Sequence, residues 1–237
     1  MNTRLQHSGS NSGTARLMRA LALAVMGMLA SLSLAQESPE SAPDTAAAVI
    51  EDTTTRVLAV IEEARDYVDD DPERFYDAIH EVLDPVVDFR GFARGVMGEY
   101  GTSARYRSLD EAGRAQLRDQ LDRFSETMRV GLIRTYGKGL LAFGGSRIEL
   151  DGSSEKDPSA RRATLRQLIY SDETEPFVVI YTMARNREGA WLLRNLVVEN
   201  VNLGQVYRSQ FESAARRYDG DLDKVIANWT AEAETSS

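Results

Sequence analysis

The sequence predicts an α+β domain, in which helices flank an antiparallel sheet, and three observations carry this prediction. From residue 46 to residue 136 apolar residues recur at steps of three and four, which is typical of one face of a helix. Between residues 145 and 202 the pattern changes to short runs rich in Val, Ile, Leu and Tyr, separated by Gly, Pro, Asp and Asn. Helical spacing then returns, and helices on one sheet make an α+β fold.

The first 35 residues are predicted to be a signal peptide, which would be absent from the working protein. Three arginines precede an uncharged apolar run from Ala20 to Leu34. Ser33 and Ala35 are small residues at the two positions that a signal peptidase recognises. This run is shorter than the roughly 20 residues that span a bilayer. We therefore expect cleavage before Gln36 and a product in the periplasm or outside the cell.

The exported chain is expected to hold a disordered tether over residues 36–45, a single domain over 46–230 and a disordered tail over 231–237. The tether is rich in proline and polar residues, which cannot bury enough apolar surface to order themselves. Because the leader holds three arginines and no acid, its removal changes the formal net charge from −9 to −12. Such an acidic surface does not suit nucleic acid or adsorption to anionic lipid. The chain has no cysteine, so its stability must come from a hydrophobic core.

The first predicted helices are marked by their ends. One begins at Ala46, and a second opens at Asp71, a capping residue followed by Pro72 at the first helical position, and ends at Pro85. A third follows in "VDFRGFARGVMGEYG", residues 87–101, which carries four glycines beside an aromatic stripe. The glycines predict either close packing against another backbone or space for a bound ligand.

The longest helix is predicted to open with a capping box, because Ser108 precedes Glu111 by three residues. Its apolar positions run from Leu117 to Tyr136 along one face, and the glycines at 137 and 139 are expected to end it. An antiparallel meander of four segments follows, and one of them, "EPFVVIYTMAR", is apolar on both faces, which predicts a strand covered on both sides. Two helices close the domain, one near Leu203 to Tyr218 and one after Asp221.

Catalytic groups are scarce in the exported chain. It has one histidine, His80, and no cysteine, and no motif for phosphate, metal or nucleophilic chemistry is present. We therefore expect no enzyme activity, no catalytic residue and no metal site. The carboxylates Asp84, Asp88 and Glu199 lie near apolar stretches, so an enzyme with a buried carboxylate base remains an alternative.

Three faces carry large or flexible apolar side chains that would suit either a filled core or the wall of a cavity. They lie on the third helix, on the longest helix and on the strands. The candidate lining residues are Phe92, Val96, Phe124, Met128, Leu132, Tyr136, Val179, Tyr181, Met183 and Val198. A sequence-local cluster of arginines is a further candidate, for contact with phosphate or a partner, or is simply solvated: Arg90, Arg94, Arg105 and Arg107.

Several motifs resemble the MlaC-type, or toluene-tolerance, family of periplasmic phospholipid-binding proteins. They are the "DF" before the third helix, the "TY" closing the longest helix, a "Y-x-M" strand, a Trp that opens the last strand, and "YRSQF" in the following helix. The resemblance covers roughly residues 50 to 230. One departure is that Asn195, Asn200 and Asn202 stand where the family pattern has Asp, Gly and Ser.

The resemblance implies a nuclear-transport-factor-like antiparallel sheet, wrapped by N- and C-terminal helices around an apolar cavity that holds acyl chains. It also implies exchange with an MCE-domain subunit of an inner-membrane ABC transporter and with an outer-membrane lipoprotein–porin complex, which maintains outer-membrane lipid asymmetry. Phospholipid would be the cargo of a monomer with no other cofactor. Two alternatives stay open: a periplasmic small-molecule enzyme or binder with a similar cone-shaped fold, and a scaffold with a solid core.

Overall fold

A computed structural model describes residues 45–141, 147–151, 160–170 and 175–230. The predicted signal peptide, nearly all of the predicted tether and the predicted tail lie outside the described residues. Thr45, the last residue of that tether, is the N-cap of the first helix and accepts a hydrogen bond from the backbone N–H of Ala48. The α-helices are α1 (Ala46–Ala64), α2 (Pro72–Leu83), α3 (Phe89–Val96), α4 (Ser103–Ser108), α5 (Glu111–Leu141), α6 (Leu203–Arg217) and α7 (Leu222–Ala227).

Side-chain caps fix where most helices begin. Asp71, Asp88 and Asp221 cap α2, α3 and α7, and the first and last of these caps confirm the predictions. The predicted capping box at Ser108 is wrong, because Ser108 belongs to the short helix α4. Asp110 caps α5 instead, accepting from the Gly113 N–H at 2.8 Å.

The predicted end of α5 at Gly137 is also wrong, because the helix continues to Leu141. Gly137 is buried, and a Cβ there would lie 3.0 Å from Cε1 of Tyr76 and 3.2 Å from Cε1 of Phe75. The glycine therefore lets α5 approach α2 closely instead of ending the helix.

The strands form one antiparallel sheet in sequential order, which confirms the predicted meander. The fourth predicted segment is divided by a tight turn at Glu199 and Asn200, whose φ angles are 49° and 68°. The five strands are β1 (Ile148–Asp151), β2 (Arg162–Ile169), β3 (Phe177–Arg185), β4 (Trp191–Val198) and β5 (Val201–Asn202).

A β-bulge interrupts the pairing of β3 with β4. Tyr181 lies opposite Leu196, but Met183 lies opposite Leu193, so Arg194 is the extra residue in β4. In a regular strand Leu193 and Leu196, three positions apart, would lie on opposite faces. Because cross-strand partners share a face, the bulge turns both of them toward the helices.

The helices pack on one face of the sheet in two hydrophobic clusters. The larger lies between the sheet and α3, α5, α6, α7 and the start of α1, and the smaller joins the rest of α1 and α2 to α5. Val178 and Ile180, on the opposite face of β3, are only partly buried and belong to neither cluster. The prediction that β3 is covered on both sides is therefore wrong for these residues.

Candidate functional site

An apolar cavity lies where the two hydrophobic clusters meet. Its walls come from α1, α2, α3 and α5 on one side and from β3, β4 and the start of α6 on the other. The cavity has a volume of about 180 Å³, which is more than ten times the roughly 10–15 Å³ that one water molecule needs. The domain therefore does not have a uniformly filled interior.

Half of the candidate lining residues do line this cavity. They come from α3, α5 and β3 and are Phe92, Leu132, Tyr136, Tyr181 and Met183. The other half are fully buried in the larger cluster and are not among the lining residues: Val96, Phe124, Met128, Val179 and Val198. Contact of any of the ten with a lipid stays a prediction.

The opposite wall was missed by the sequence analysis. It includes Ile50, Thr53 and Thr54 of α1 and Ile79 and Leu83 of α2. Two of these residues are threonines, which are not the large or flexible apolar side chains by which candidate lining residues are recognised in a sequence. The available signal was the helical spacing of α1, which places Ile50 and Thr53 on the face that is buried.

The hydroxyl groups of the lining residues are mostly satisfied within the protein. The Tyr181 hydroxyl donates to Oε1 of Gln167 at 2.7 Å, and the Thr53 hydroxyl donates to the carbonyl of Val49 at 2.6 Å. The hydroxyls of Tyr136 and Tyr207 lie 2.8 Å apart. Burial raises the pKa of Tyr181, so this phenol is neutral at physiological pH. This part of the wall can therefore adjoin hydrocarbon without presenting charge.

A charged pair lies at one side of the cavity. Arg194, in the bulge of β4, forms an ion pair with Asp88 through Nη1 and Oδ2. The other oxygen of Asp88 accepts the N–H of Gly91 at 2.8 Å, as the cap of α3. A Cβ at Gly91 would lie 2.7 Å from Nη1 of Arg194, so only glycine leaves room for the pair.

The backbone holds this pair in place. The segment before α3 runs alongside β4, where the Leu193 N–H donates to the carbonyl of Val86 at 2.8 Å. The Asp88 N–H donates to the carbonyl of Leu193 at 3.0 Å. The carboxylate and the guanidinium are thus fixed next to each other by two adjacent backbone segments.

The glycine stripe of residues 91–101 serves local geometry and does not line the cavity in the described structure. Gly98 has a φ of +57°, a conformation that favours glycine, at the turn after α3. Nothing lies within 4 Å of a Cβ placed on Gly95. A close backbone is found at Gly101, where a Cβ would clash with the carbonyl oxygen of Arg94. Neither predicted reason, a close backbone or room for a ligand, holds for the whole stripe.

The other candidate polar residues lie outside the cavity wall. Asp84 is exposed and bonded to Arg129 at 3.0 Å, and Glu199 is exposed and accepts the Val178 N–H at 2.5 Å. Among the candidate arginines, Arg90 forms an ion pair with Asp122 at 2.6 Å. The remaining three are exposed as well: Arg94, Arg105 and Arg107.

Two further findings concern metal binding and membrane insertion in the part of the chain that the structure describes. Within them, no group of three or more His, Cys, Asp or Glu side chains could hold a metal ion. The helices in this part of the chain also include none that combines the length and the apolarity needed to cross a membrane.

The three asparagines that depart from the family pattern lie in β4, in the turn after it and in β5, and they are Asn195, Asn200 and Asn202. Asn202 caps α6 by accepting from the Gln205 N–H at 3.2 Å, and it also accepts from Nδ2 of Asn195 at 2.9 Å. Oδ1 of Asn195 in turn accepts from the Gly204 N–H at 3.1 Å. Asn200 adopts a positive φ, which asparagine tolerates better than most residues. The hydrogen bonds of Asn195 and Asn202 hold the start of α6 against β4, and Asn195 also lines the cavity.

Comparisons with known proteins agree on one family. A family model described as MlaC protein matches residues 51–231. The toluene tolerance protein ttg2D of Pseudomonas putida is 30% identical over 184 residues, which cover 78% of this chain and 79% of that protein. The fold is similar to that of a phospholipid-binding protein from Ralstonia solanacearum, solved in complex with a phospholipid. The two share a TM-score of 0.62 and 16% identity, over 76% of this chain and 92% of the other.

Proposed function

The chain belongs to the MlaC family, and on that premise we propose that it is a periplasmic phospholipid carrier. The observation that carries the proposal is the apolar cavity between the sheet and the helices α1, α2, α3, α5 and α6. The similar protein from Ralstonia solanacearum was solved with a phospholipid, which supports the same class of cargo for this chain.

The physical task of such a carrier explains why its lining is apolar. Exposing two acyl chains with some thirty carbons in total to water costs on the order of 25 kcal/mol, at about 0.8 kcal/mol per methylene. A carrier must offset nearly all of this by burial. Membrane and cavity then bind the chains with similar affinity, and a small bias from a docking partner sets the direction of transfer. The carrier itself performs no chemical step.

We further propose that the leader directs export and that the mature chain shuttles phospholipid between two membrane complexes. The partners are an MCE-domain subunit of an inner-membrane ABC transporter and an outer-membrane lipoprotein–porin complex, and the outcome is outer-membrane lipid asymmetry. The acidic composition supports this, because it disfavours adsorption to anionic lipid and leaves delivery to protein contacts.

The direct test of the carrier function is the lipid that the protein holds when it is isolated from the periplasm. Organic extraction and mass spectrometry should recover a diacyl phospholipid in near-stoichiometric amount. Repeated recovery of protein without lipid would contradict the proposal.

The shuttle is tested separately, by following labelled phospholipid between vesicles that carry the inner-membrane and outer-membrane partners. Transfer should accelerate when both partners are present and should return to the background rate when either is omitted. Equal transfer rates with and without the partners would contradict the shuttle and leave the carrier function standing.

A further inference from the structure

Arg194 is the one charged side chain among the residues that line the cavity in the described structure. Its side chain is 32% exposed, and that of its partner Asp88 is 18% exposed. A group that both lines the cavity and reaches solvent lies where the two meet. The pair therefore marks the polar mouth of an otherwise apolar space.

The chemistry of a guanidinium at this position suits a phosphate. Arginine presents five N–H donors in a planar fork that matches the oxygens of phosphate and carboxylate. The ion pair with Asp88 is made by Nη1, which leaves donors on the same fork for a second anion. The β-bulge aims the side chain here, because Arg194 is the residue without a partner in the register of β3 and β4.

Asp88 lies beside the guanidinium donors that an incoming anion would use. One of its oxygens accepts from the backbone at the start of α3, and the other accepts from Arg194. A phosphate approaching Arg194 therefore meets the negative charge of this carboxylate. Competition of this kind weakens binding of the anion and favours its release.

On the premise of the carrier function, we propose that Arg194 binds the phosphate of the lipid cargo at the cavity mouth and that Asp88 competes with this phosphate. Arg194 is then the residue that distinguishes a phospholipid from a diacyl lipid without phosphate. Asp88 sets how tightly the phosphate is held and occupies the guanidinium when no cargo is bound.

The test is a competition between two lipids with the same acyl chains. The mature protein is incubated with mixed detergent micelles that hold equal amounts of phosphatidylglycerol and diacylglycerol, is then re-isolated, and its bound lipids are quantified by mass spectrometry. The wild-type protein should be enriched in phosphatidylglycerol. Arg194→Met should lower the ratio of the two bound lipids by roughly tenfold or more, since hydrogen bonds to charged groups are among the strong ones.

Asp88→Asn separates competition from a structural role. Asparagine caps helices about as well as aspartate but carries no charge. If the carboxylate competes with phosphate, this variant should raise the ratio of phosphatidylglycerol to diacylglycerol several-fold. If the ion pair serves only to hold the wall together, the variant should lower the uptake of both lipids, and the competition would be refuted.

Arg90→Met is the matched control, because Arg90 is also paired with an aspartate but is exposed and lies outside the cavity wall. Its lipid ratio should equal that of the wild type. Should Arg194→Met fail to fold, Arg194→Lys keeps the charge without the fork and should give an intermediate ratio. An unchanged ratio in the Arg194 variant that folds, or equal loss of both lipids, would overturn the inference. Uptake of neither lipid by the wild type would overturn the carrier function as well.

Discussion

The hydroxyl groups of Tyr136 and Tyr207 lie 2.8 Å apart and join α5 to α6 next to the cavity. Tyr136 lines the cavity, whereas Tyr207 is fully buried. Burial raises the pKa of both phenols. Both therefore stay neutral, and this bond satisfies polar groups in an apolar interior. The two residues come from the "TY" and "YRSQF" motifs, so the fold brings these two motifs into contact.

Replacing one tyrosine of this pair should destabilise the domain. Tyr136→Phe removes a partner from the buried Tyr207 hydroxyl, and we expect the free energy of unfolding to fall by about 1–3 kcal/mol. Urea denaturation of both single variants and the double variant should give a coupling of about 0.5–3 kcal/mol. Tyr170→Phe is the control, because its hydroxyl bonds Glu149 at the surface, and it should change stability by no more than about 0.5 kcal/mol. Additive effects of the two single changes would refute the coupling.

A bulky side chain in the cavity should exclude lipid without unfolding the protein. Leu132 is partly buried and lines the cavity, so Leu132→Trp has space to enter and should reduce bound phospholipid several-fold with little change in Tm. Val179 is fully buried in the filled core, so Val179→Trp should instead lower stability by roughly 1–3 kcal/mol. Extracted lipid and Tm are measured for both proteins. Equal destabilisation by the two changes would mean that no usable space exists at Leu132.

The stability of the domain should depend on His80 below neutral pH. Burial lowers the pKa of His80, and the charge of Arg129, whose Nη1 lies 2.9 Å from Nδ1, lowers it further against the opposing effect of Asp84 and Glu126. The unfolded chain therefore binds a proton more readily, near its ordinary pKa of about 6.5. The contribution of neutral His80 to stability is present above this pKa and is lost as the pH falls through the lower folded pKa.

The comparison that checks this is wild type against His80→Gln, with free energies of unfolding measured in urea at pH 7.5 and pH 5. The wild type should lose stability relative to the variant on acidification. Other groups titrate in both proteins and cancel in the difference. A relative gain of the wild type at the lower pH would contradict the lowered pKa.

Two glycine-to-alanine changes should have opposite effects. Gly137→Ala places a Cβ 3.0 Å from the buried ring of Tyr76, so this ring must shift, and the fully buried Phe75 beside it restricts the shift. We expect a loss of about 1 kcal/mol despite the better helix propensity of alanine. Gly95→Ala meets nothing within 4 Å and should gain roughly 0.5–1 kcal/mol. Thermal and urea unfolding of both variants check the signs, and stabilisation by Gly137→Ala would show that the α2–α5 contact can relax.

The sequence alone predicted the order and type of most elements, because these depend on local patterns; the short helix α4 and the separate strand β5 were not predicted. The caps at Asp71 and Asp221, the meander and the two closing helices follow from short-range chemistry and periodicity. The errors at Ser108 and Gly137 have a common cause. The role of a capping residue or a glycine depends on what packs around it. The local pattern showed neither the short helix that contains Ser108 nor the rings of α2 that pack against Gly137.

The position of the cavity was decided only by the tertiary structure. A hollow and a filled core use the same residue types, so Phe124 and Val179 could not be distinguished from Leu132 and Met183 by sequence. The wall from α1 and α2 depends on contacts between segments that are distant in the sequence. The same holds for the bulge that brings Arg194 to Asp88, about a hundred residues away. Composition sets how much apolar surface the chain must bury. The packing of the elements decides where this apolar surface leaves a cavity.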